Sequence, residues 1–354
     1  MKALGSLAEL EELMRQGAAL GDEQARVKLL CDHFVQDPKL MLNGLDPFSA
    51  AYRDQVVGIH AYVSGRDGYR PERDELIPID PVARARKPSI YADGGSRHLG
   101  TFLEAIGQIL QIADLSPGQR VLEYGAGDGQ IALALARMGC DVTVVDIEER
   151  YLEAIRLQSE PFGFSVRRIH GDFFADVGPQ TFDLVLFFEA FHHALDHQRL
   201  LRRLHEITAP SSRLLFAGEP IIPKDDYWAF VVPFPWGLRL DALSLQAVKN
   251  YGWMELGYQE QYFLEVLRRT GWTAERRVSP TNGRGTCYVA SKWSAEAAAD
   301  AAISAPADVT PKIEQRSVSS FIRRLPWPAA IRAAVRWWRR MRVRANASAD
   351  TQRH

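Results

Sequence analysis

From residue 120 onward the sequence alternates between two periods, and that alternation limits the fold more than any other feature. "RVLEYG", "DVTVVDI", "SVRRIHG", "FDLVLFF" and "RLLFAG" are short apolar runs rich in β-branched and aromatic residues. Between them stand "GQIALALARMGC", "ERYLEAIRLQSE" and "DHQRLLRRLHEITA", whose apolar residues recur at helical spacing. Strands that alternate with helices form a mostly parallel sheet covered on both faces. Right-handed crossovers then make it doubly wound. The helix "YQEQYFLEVLRRTG" and the strands "TAERRVS" and "TCYVASKW" bring the expected sheet to seven strands.

Other segments flank this core. Residues 1–90 read as a helical region, with "LAELEELM", "EQARVKLLCDHFV" and "DPFSAAYRDQVVGIHAYV" as helices, the last capped by Asp46 with Pro47 in its first turn. Residues 91–292 are expected to be the sheet domain. Within them, 221–256 is an excursion rich in aromatics: Tyr227, Trp228, Phe230, Phe234, Trp236, Tyr251 and Trp253. Above the strand ends it would act as a lid, with ring faces suited to sugars. Residues 293–310 read as a linker. Residues 311–354 carry a net charge of +9 in a chain of formal net charge -1. Over 329–344, Ile331, Val335 and Trp338 fall opposite Arg332, Arg336 and Arg339, the pattern of a helix lying on an anionic membrane surface. The balance of the remaining chain gives no reason to expect nucleic acid. Cys31, Cys140 and Cys287 fit neither a disulfide framework nor a zinc pattern. With no apolar run near about 18 residues and acids early in the N-terminus, the body is expected in the cytoplasm, with the tail peripheral on the inner membrane face.

The first strand-to-helix turn reads "YGAGDGQ". Ligands of such sheets bind outside the carboxyl ends of the strands, and a bare backbone there allows close approach. The next strand ends in Asp146, 21 residues after Gly125, where a carboxylate can accept both hydroxyls of a ribose. A dinucleotide fingerprint would place glycine at the sixth position, which here is Gln130. An acid, Glu123, precedes the turn instead. A pyrophosphate gains nothing from it, whereas a cofactor with a sulfonium and an amino group does.

With "VLEYGAGDG", "VTVVDI", "GDFF" and "FDLVLFFEAFHH" in place, residues 90–292 resemble the class I S-adenosylmethionine-dependent methyltransferases. The resemblance implies a Rossmann-like fold and S-adenosylmethionine as cofactor. It implies cofactor contacts from Glu123, Gly125, Ala126 and Gly127 near the methionine, Asp146 and Ile147 near the ribose, and Asp172 and Phe173 at the adenine. Glu189 joins this set, and Tyr91 would cover the methionine end. "YRPERDELIPID", "FHHALDH", "AGEP" and "PWGLRLDALSL" look similar to bacterial methyltransferases of polysaccharide and lipopolysaccharide assembly.

After "FDLVLFF", relatives that methylate adenine or glutamine amino groups carry an (Asn/Asp)-Pro-Pro-aromatic turn. This chain reads "EAFHH", and no cysteine lies nearby for pyrimidine C5 chemistry. Hydroxyl methylation usually needs a base. The candidates are His192, His193, Glu189 and Glu219, with His192 preferred. His193 and His197 stand one helical turn apart beside Asp196, but no further ligand cluster supports a metal, and none is expected. The expected function is O-methylation of a sugar or glycan hydroxyl. The alternatives are a lipid or secondary-metabolite acceptor, or a non-catalytic scaffold that binds the cofactor.

Overall fold

The computed structural model describes residues 1–89 and 95–293. Tyr91, nearly all of the expected linker and the whole basic tail lie outside the described residues.

The N-terminal region is mostly helical. It runs β1 (Lys2–Leu4), α1 (Leu7–Ala19), α2 (Glu23–Cys31), β2 (His33–Val35), α3 (Ala50–Ser64), α4 (Pro71–Asp74), α5 (Pro81–Ala85) and α6 (Gly95–Ala113). Two expectations change here. The stretch 23–35 is not one helix: it stops at Cys31, and His33–Val35 extends to pair in parallel with Lys2–Leu4. Burial of Phe34 and Val35 and a bond from the Val35 N–H to the Leu240 carbonyl (2.8 Å) favour the strand. Nor does Asp46 cap α3. Its carboxylate accepts the Phe48 N–H in a preceding turn (3.0 Å), and Ser49 Oγ accepts the Tyr52 N–H as the actual cap (3.2 Å).

The central sheet contains β3 (Arg120–Tyr124), β4 (Asp141–Asp146), β5 (Arg167–His170), β6 (Phe182–Phe188) and β7 (Thr208–Ala217), joined by α7 (Gln130–Arg137), α8 (Glu149–Ser159) and α9 (His197–Leu204). Residues 221–222, 236–238 and 256–259 form β8, β9 and β10, with α10 (Ala242–Tyr251) before β10. The chain then follows α11 (Glu260–Arg269), β11 (Trp272–Arg277) and β12 (Cys287–Lys292). The strand order is β11-β12-β7-β6-β3-β4-β5, and only β12 runs antiparallel to its neighbours. This is the seven-stranded, mostly parallel, Rossmann-like sheet expected.

Alternation along the strands assigns each side chain a face. Val121, Leu184, Leu186 and Leu215 pack under α6, α7 and α8. Leu122, Val185, Phe187 and Leu214 meet α9, α11, the N-terminal helices and the 221–256 segment. Both faces are dry, which is why β6 is apolar along nearly its whole length.

The 221–256 segment is not an irregular lid. β8, β10 and β9 form their own three-stranded sheet, and most of its rings are structural. Phe234 and Trp236 are buried. Trp236 packs between Tyr52 (5.2 Å) and His197 (4.7 Å), and its Nε1 donates to the Pro47 carbonyl (2.8 Å). Tyr227, Trp228 and Phe230 cluster against one another, with Tyr227 and Trp228 exposed. No helix among the described residues is long and apolar enough to cross a membrane.

Candidate active site

The carboxyl ends of β3, β4 and β6 open into a cavity of about 460 Å³. Its floor is the glycine turn. Gly125, Gly127 and Gly129 all have positive φ (63°, 53° and 73°). At Gly125 a Cβ would stand 2.7 Å from Ala190 Cβ, so only glycine lets the turn press against the loop after β6. Gly129 lies equally close to Ile155 of α8, whereas Gly127 faces open space.

Asp146 ends β4 on the cavity wall. One carboxylate oxygen accepts the Gly127 N–H (2.9 Å) and the other the Glu148 N–H (2.9 Å). Burial pushes its pKa up to about 6, because those donors only partly replace water. Gly125, Ala126, Gly127, Asp146, Ile147, Asp172, Phe173 and Glu189 all line the cavity, as the sequence suggests. Glu123 does not. It is buried beneath the turn, near the Ala132 N–H at the start of α7, with one oxygen lacking any hydrogen-bond partner. Burial drives its pKa up to about 8.

The loop after β6 brings only one of the two histidines to the cavity. Glu189 adopts φ 50°, and its Oε1 accepts from Arg284 Nε (2.8 Å). Glu219 is wholly buried and lines no part of the cavity. It accepts the N–H groups of Ala190, Phe191 and His192 (2.9, 2.8 and 3.1 Å) and lies 2.8 Å from His192 Nδ1. Burial raises its pKa to about 7 despite these donors. His192 is therefore held inward, off the cavity lining, with burial keeping its pKa well below the usual imidazole range. His193 is the one on the wall.

His193 Nδ1 lies 3.1 Å from Glu75 Oε2, near enough for strong charge attraction but without hydrogen-bond alignment. Burial would lower the His193 pKa, yet Glu75 outweighs it and holds the ring up at about 9. Glu75 also accepts from the Tyr69 hydroxyl (2.8 Å) and the Met254 N–H (2.7 Å). Glu75, Tyr69 and Trp253 complete this wall. Glu75 and Tyr69 come from "GRDGYRPERDELIPIDP", which has no periodicity to mark them. Of the aromatics in 221–256, only Trp253 reaches the cavity, and its buried Nε1 has no hydrogen-bond partner. His197 does not line the cavity. Its Nε2 pairs with the Tyr262 hydroxyl (2.8 Å) in the core, while Asp196 binds Arg53 (2.6 Å).

Acids outnumber bases on the wall, with Glu72, Asp128, Glu148 and Asp172 added to those above and only Arg53, Arg199 and His193 opposing them. A cationic sulfonium and ammonium fit such a wall, and the pinned Asp146 suits a vicinal diol. The residues present fit S-adenosylmethionine.

Comparison with known proteins shows what kind of domain surrounds the cavity. Residues 122–216 match the family model described as a methyltransferase domain. The chain is 31% identical over 116 residues to a ubiquinone biosynthesis O-methyltransferase of Pseudomonas syringae pv. tomato, covering 32% of this chain and 50% of that protein. It is 30% identical over 132 residues to the mitochondrial enzyme of that name from Schizosaccharomyces pombe, covering 35% and 48%. The chain thus spans about half the length of the curated relatives it matches. Among solved structures, PigF with SAH aligns at a TM-score of 0.45 and 18% identity over 69% of each chain. A Burkholderia thailandensis 1,6-didemethyltoxoflavin-N1-methyltransferase aligns at 0.41 and 20%, over 58% of this chain and 84% of that one. The fold assignment rests on the strand order itself. The segment that carries the glycine turn, Asp146, Asp172 and the His192–His193 loop is a methyltransferase domain.

Proposed function

We propose that the protein is an S-adenosylmethionine-dependent methyltransferase that acts on a hydroxyl oxygen. The observation that carries this reading is Asp146, pinned by the Gly127 and Glu148 N–H groups on the wall of an acidic cavity. When bound, the cofactor supplies a methyl carbon made electrophilic by its sulfonium. The protein's task is then chiefly positioning. Gly125, Ala126 and Gly127 present bare backbone, Asp146 and Ile147 hold the ribose, and Asp172 and Phe173 meet the adenine. His193 is the proton acceptor in its neutral form, which its attraction to Glu75 holds back until the pH approaches about 9, and Glu75 balances the charge gained on proton transfer. Glu189 shapes the methionine end. Glu219 acts indirectly, by fixing the loop that carries both histidines.

The acceptor we favour is a sugar or glycan in surface polysaccharide assembly. Trp253 supports this, since it brings an aromatic side chain to the cavity lining, and an aromatic face suits the C–H face of a sugar. Relatives named for ubiquinone biosynthesis favour a second reading, a lipid or other small-molecule acceptor. The basic tail would bring either reaction to the anionic inner face of a membrane, where lipid-linked acceptors reside.

The test begins with calorimetry. S-adenosylmethionine should bind the full chain, and Asp146→Ala should weaken it; no binding ends the proposal. Mass spectrometry of surface polysaccharide from cells with and without the gene then separates the acceptors. An unchanged methyl-sugar profile would remove the glycan reading. Co-sedimentation with anionic vesicles, comparing the full chain with one ending at residue 310, tests the tail, and equal binding by both would refute its role.

A further inference from the structure

The loop after β6 gathers more donors than a proton transfer uses. A ring nitrogen of His192, a ring nitrogen of His193 and a carboxylate oxygen of Glu255 all lie within 4.8 Å of one another. His192 Nε2 stands 3.8 Å from Glu255 Oε2, and the two imidazole centroids are 4.2 Å apart. The donors come from two segments packed together, the turn Phe191–His193 and the residue entering β10. A further observation points to a ligand. His192 has its Nδ1 on Glu219 (2.8 Å), the arrangement in which a carboxylate behind an imidazole turns its other nitrogen toward an ion.

We propose that His192, His193 and Glu255 form a binding site for a divalent ion of the zinc class, just behind the cavity wall at His193. Two imidazoles and one carboxylate are a donor set that zinc accepts with one position left open, whereas magnesium and calcium prefer oxygen throughout. Glu75, Glu219 and Glu255 face a single guanidinium in contact, that of Arg239 on Glu255. With neutral rings, two negative charges are left over, which a divalent ion balances. Bonds of about 2.0–2.2 Å require tetrahedral donors about 3.4 Å apart. The donors, up to 4.8 Å apart, must therefore close by as much as about 1.4 Å, and Arg239 must share the Glu255 carboxylate.

An ion here occupies the imidazole that would otherwise take the acceptor's proton. Metal occupancy and proton transfer therefore exclude each other, so zinc acts as an off-switch; that consequence rests on the function proposed above, while the site itself does not.

The experiment uses the full chain stripped with a chelator. It is titrated with zinc chloride by calorimetry and with cobalt(II) by visible absorption. One ion per chain is expected, with a cobalt spectrum of low-coordinate nitrogen and oxygen ligation. Glu255→Gln keeps the shape of the side chain, and His192→Ala removes a second ligand. Each should weaken binding about tenfold or more, with circular dichroism confirming that the variants fold. No saturable ion, or equal affinity in wild type and both variants, overturns the site. If both variants lose the ion but zinc leaves methyl transfer untouched, the site stands and the proton-accepting role of His193 falls.

Discussion

The glycine turn offers a test in which two neighbouring positions separate two costs. Gly125 and Gly127 share positive φ, so alanine at either one pays about 1–2 kcal/mol for the left-handed backbone. They differ in what an added Cβ meets. At Gly127 it meets nothing within 4 Å, and at Gly125 it meets Ala190 Cβ at 2.7 Å. An ordinary carbon contact is about 3.5–4.0 Å, so the loop after β6 must retreat by about an ångström. It cannot do so freely, because Glu219 binds the N–H groups of Ala190, Phe191 and His192 together. Overpacking of this kind adds about 1–3 kcal/mol. Gly127→Ala is thus expected to cost about 1–2 kcal/mol and Gly125→Ala about 2–5 kcal/mol. Urea unfolding followed by circular dichroism measures both. If the two variants agree within about 0.5 kcal/mol, the close approach between the turn and Ala190 is not what makes Gly125 necessary. Because the same loop carries His193, Gly125→Ala should also lower methyl-transfer turnover more than Gly127→Ala.

Other expectations follow from the wall and the buried acids. Asp146→Ala should weaken S-adenosylmethionine binding by about 1.5–3 kcal/mol, the worth of hydrogen bonds to a charged group; unchanged calorimetric affinity would contradict the ribose role. Wild-type affinity should also fall as pH drops through about 6, where the Asp146 carboxylate takes up a proton, while Asp146→Asn shows a flatter profile. Glu123, with its folded pKa raised from 4.5 to about 8, contributes stability that is complete below pH 4.5 and lost as pH rises through 8. Between pH 6 and pH 9 the wild type should therefore lose about 2–3 kcal/mol more than Glu123→Gln, and parallel stability profiles for the two would refute this. His193→Ala should reduce turnover about 100-fold or more with cofactor affinity retained; near-normal turnover would remove it from the chemistry.

The central sheet was legible because its strands are buried on both faces, so apolar runs such as "FDLVLFF" stand out against amphipathic helices. Asp146 and the glycines were legible because their spacing follows from strand-turn-helix geometry. The histidines were legible only as a pair. Which one faces the cavity depends on Glu219, whose carboxylate gathers three N–H groups and draws His192 inward, a contact spanning 27 residues. Glu75 lay further from reach, since a single acid in a stretch of charges and prolines carries no periodicity, and its partners His193 and Met254 are supplied by tertiary packing. The aromatics of 221–256 misled because rings that stack on a ligand and rings that pack a core have the same composition. Trp236 and Trp253 differ only in what the N-terminal helices leave open beside them.

The wall around His193 is assembled from segments far apart in the chain. Glu75 comes from the N-terminal region, and the Ile77 N–H binds Glu148 at the head of α8 (3.0 Å). Trp253 comes from the 221–256 segment, and the glycine turn from between β3 and α7. On the function proposed above, cofactor handling and acceptor choice fall in separate stretches of sequence that meet only after folding. On that function, exchange of residues 69–76 and 253–255 should alter the acceptor face, while Ile77 ties that face to Glu148, whose N–H holds Asp146. On the same reading, residues 69–77 are as much a part of the acceptor wall as the sheet domain is, since Tyr69 and Glu75 line the cavity beside His193.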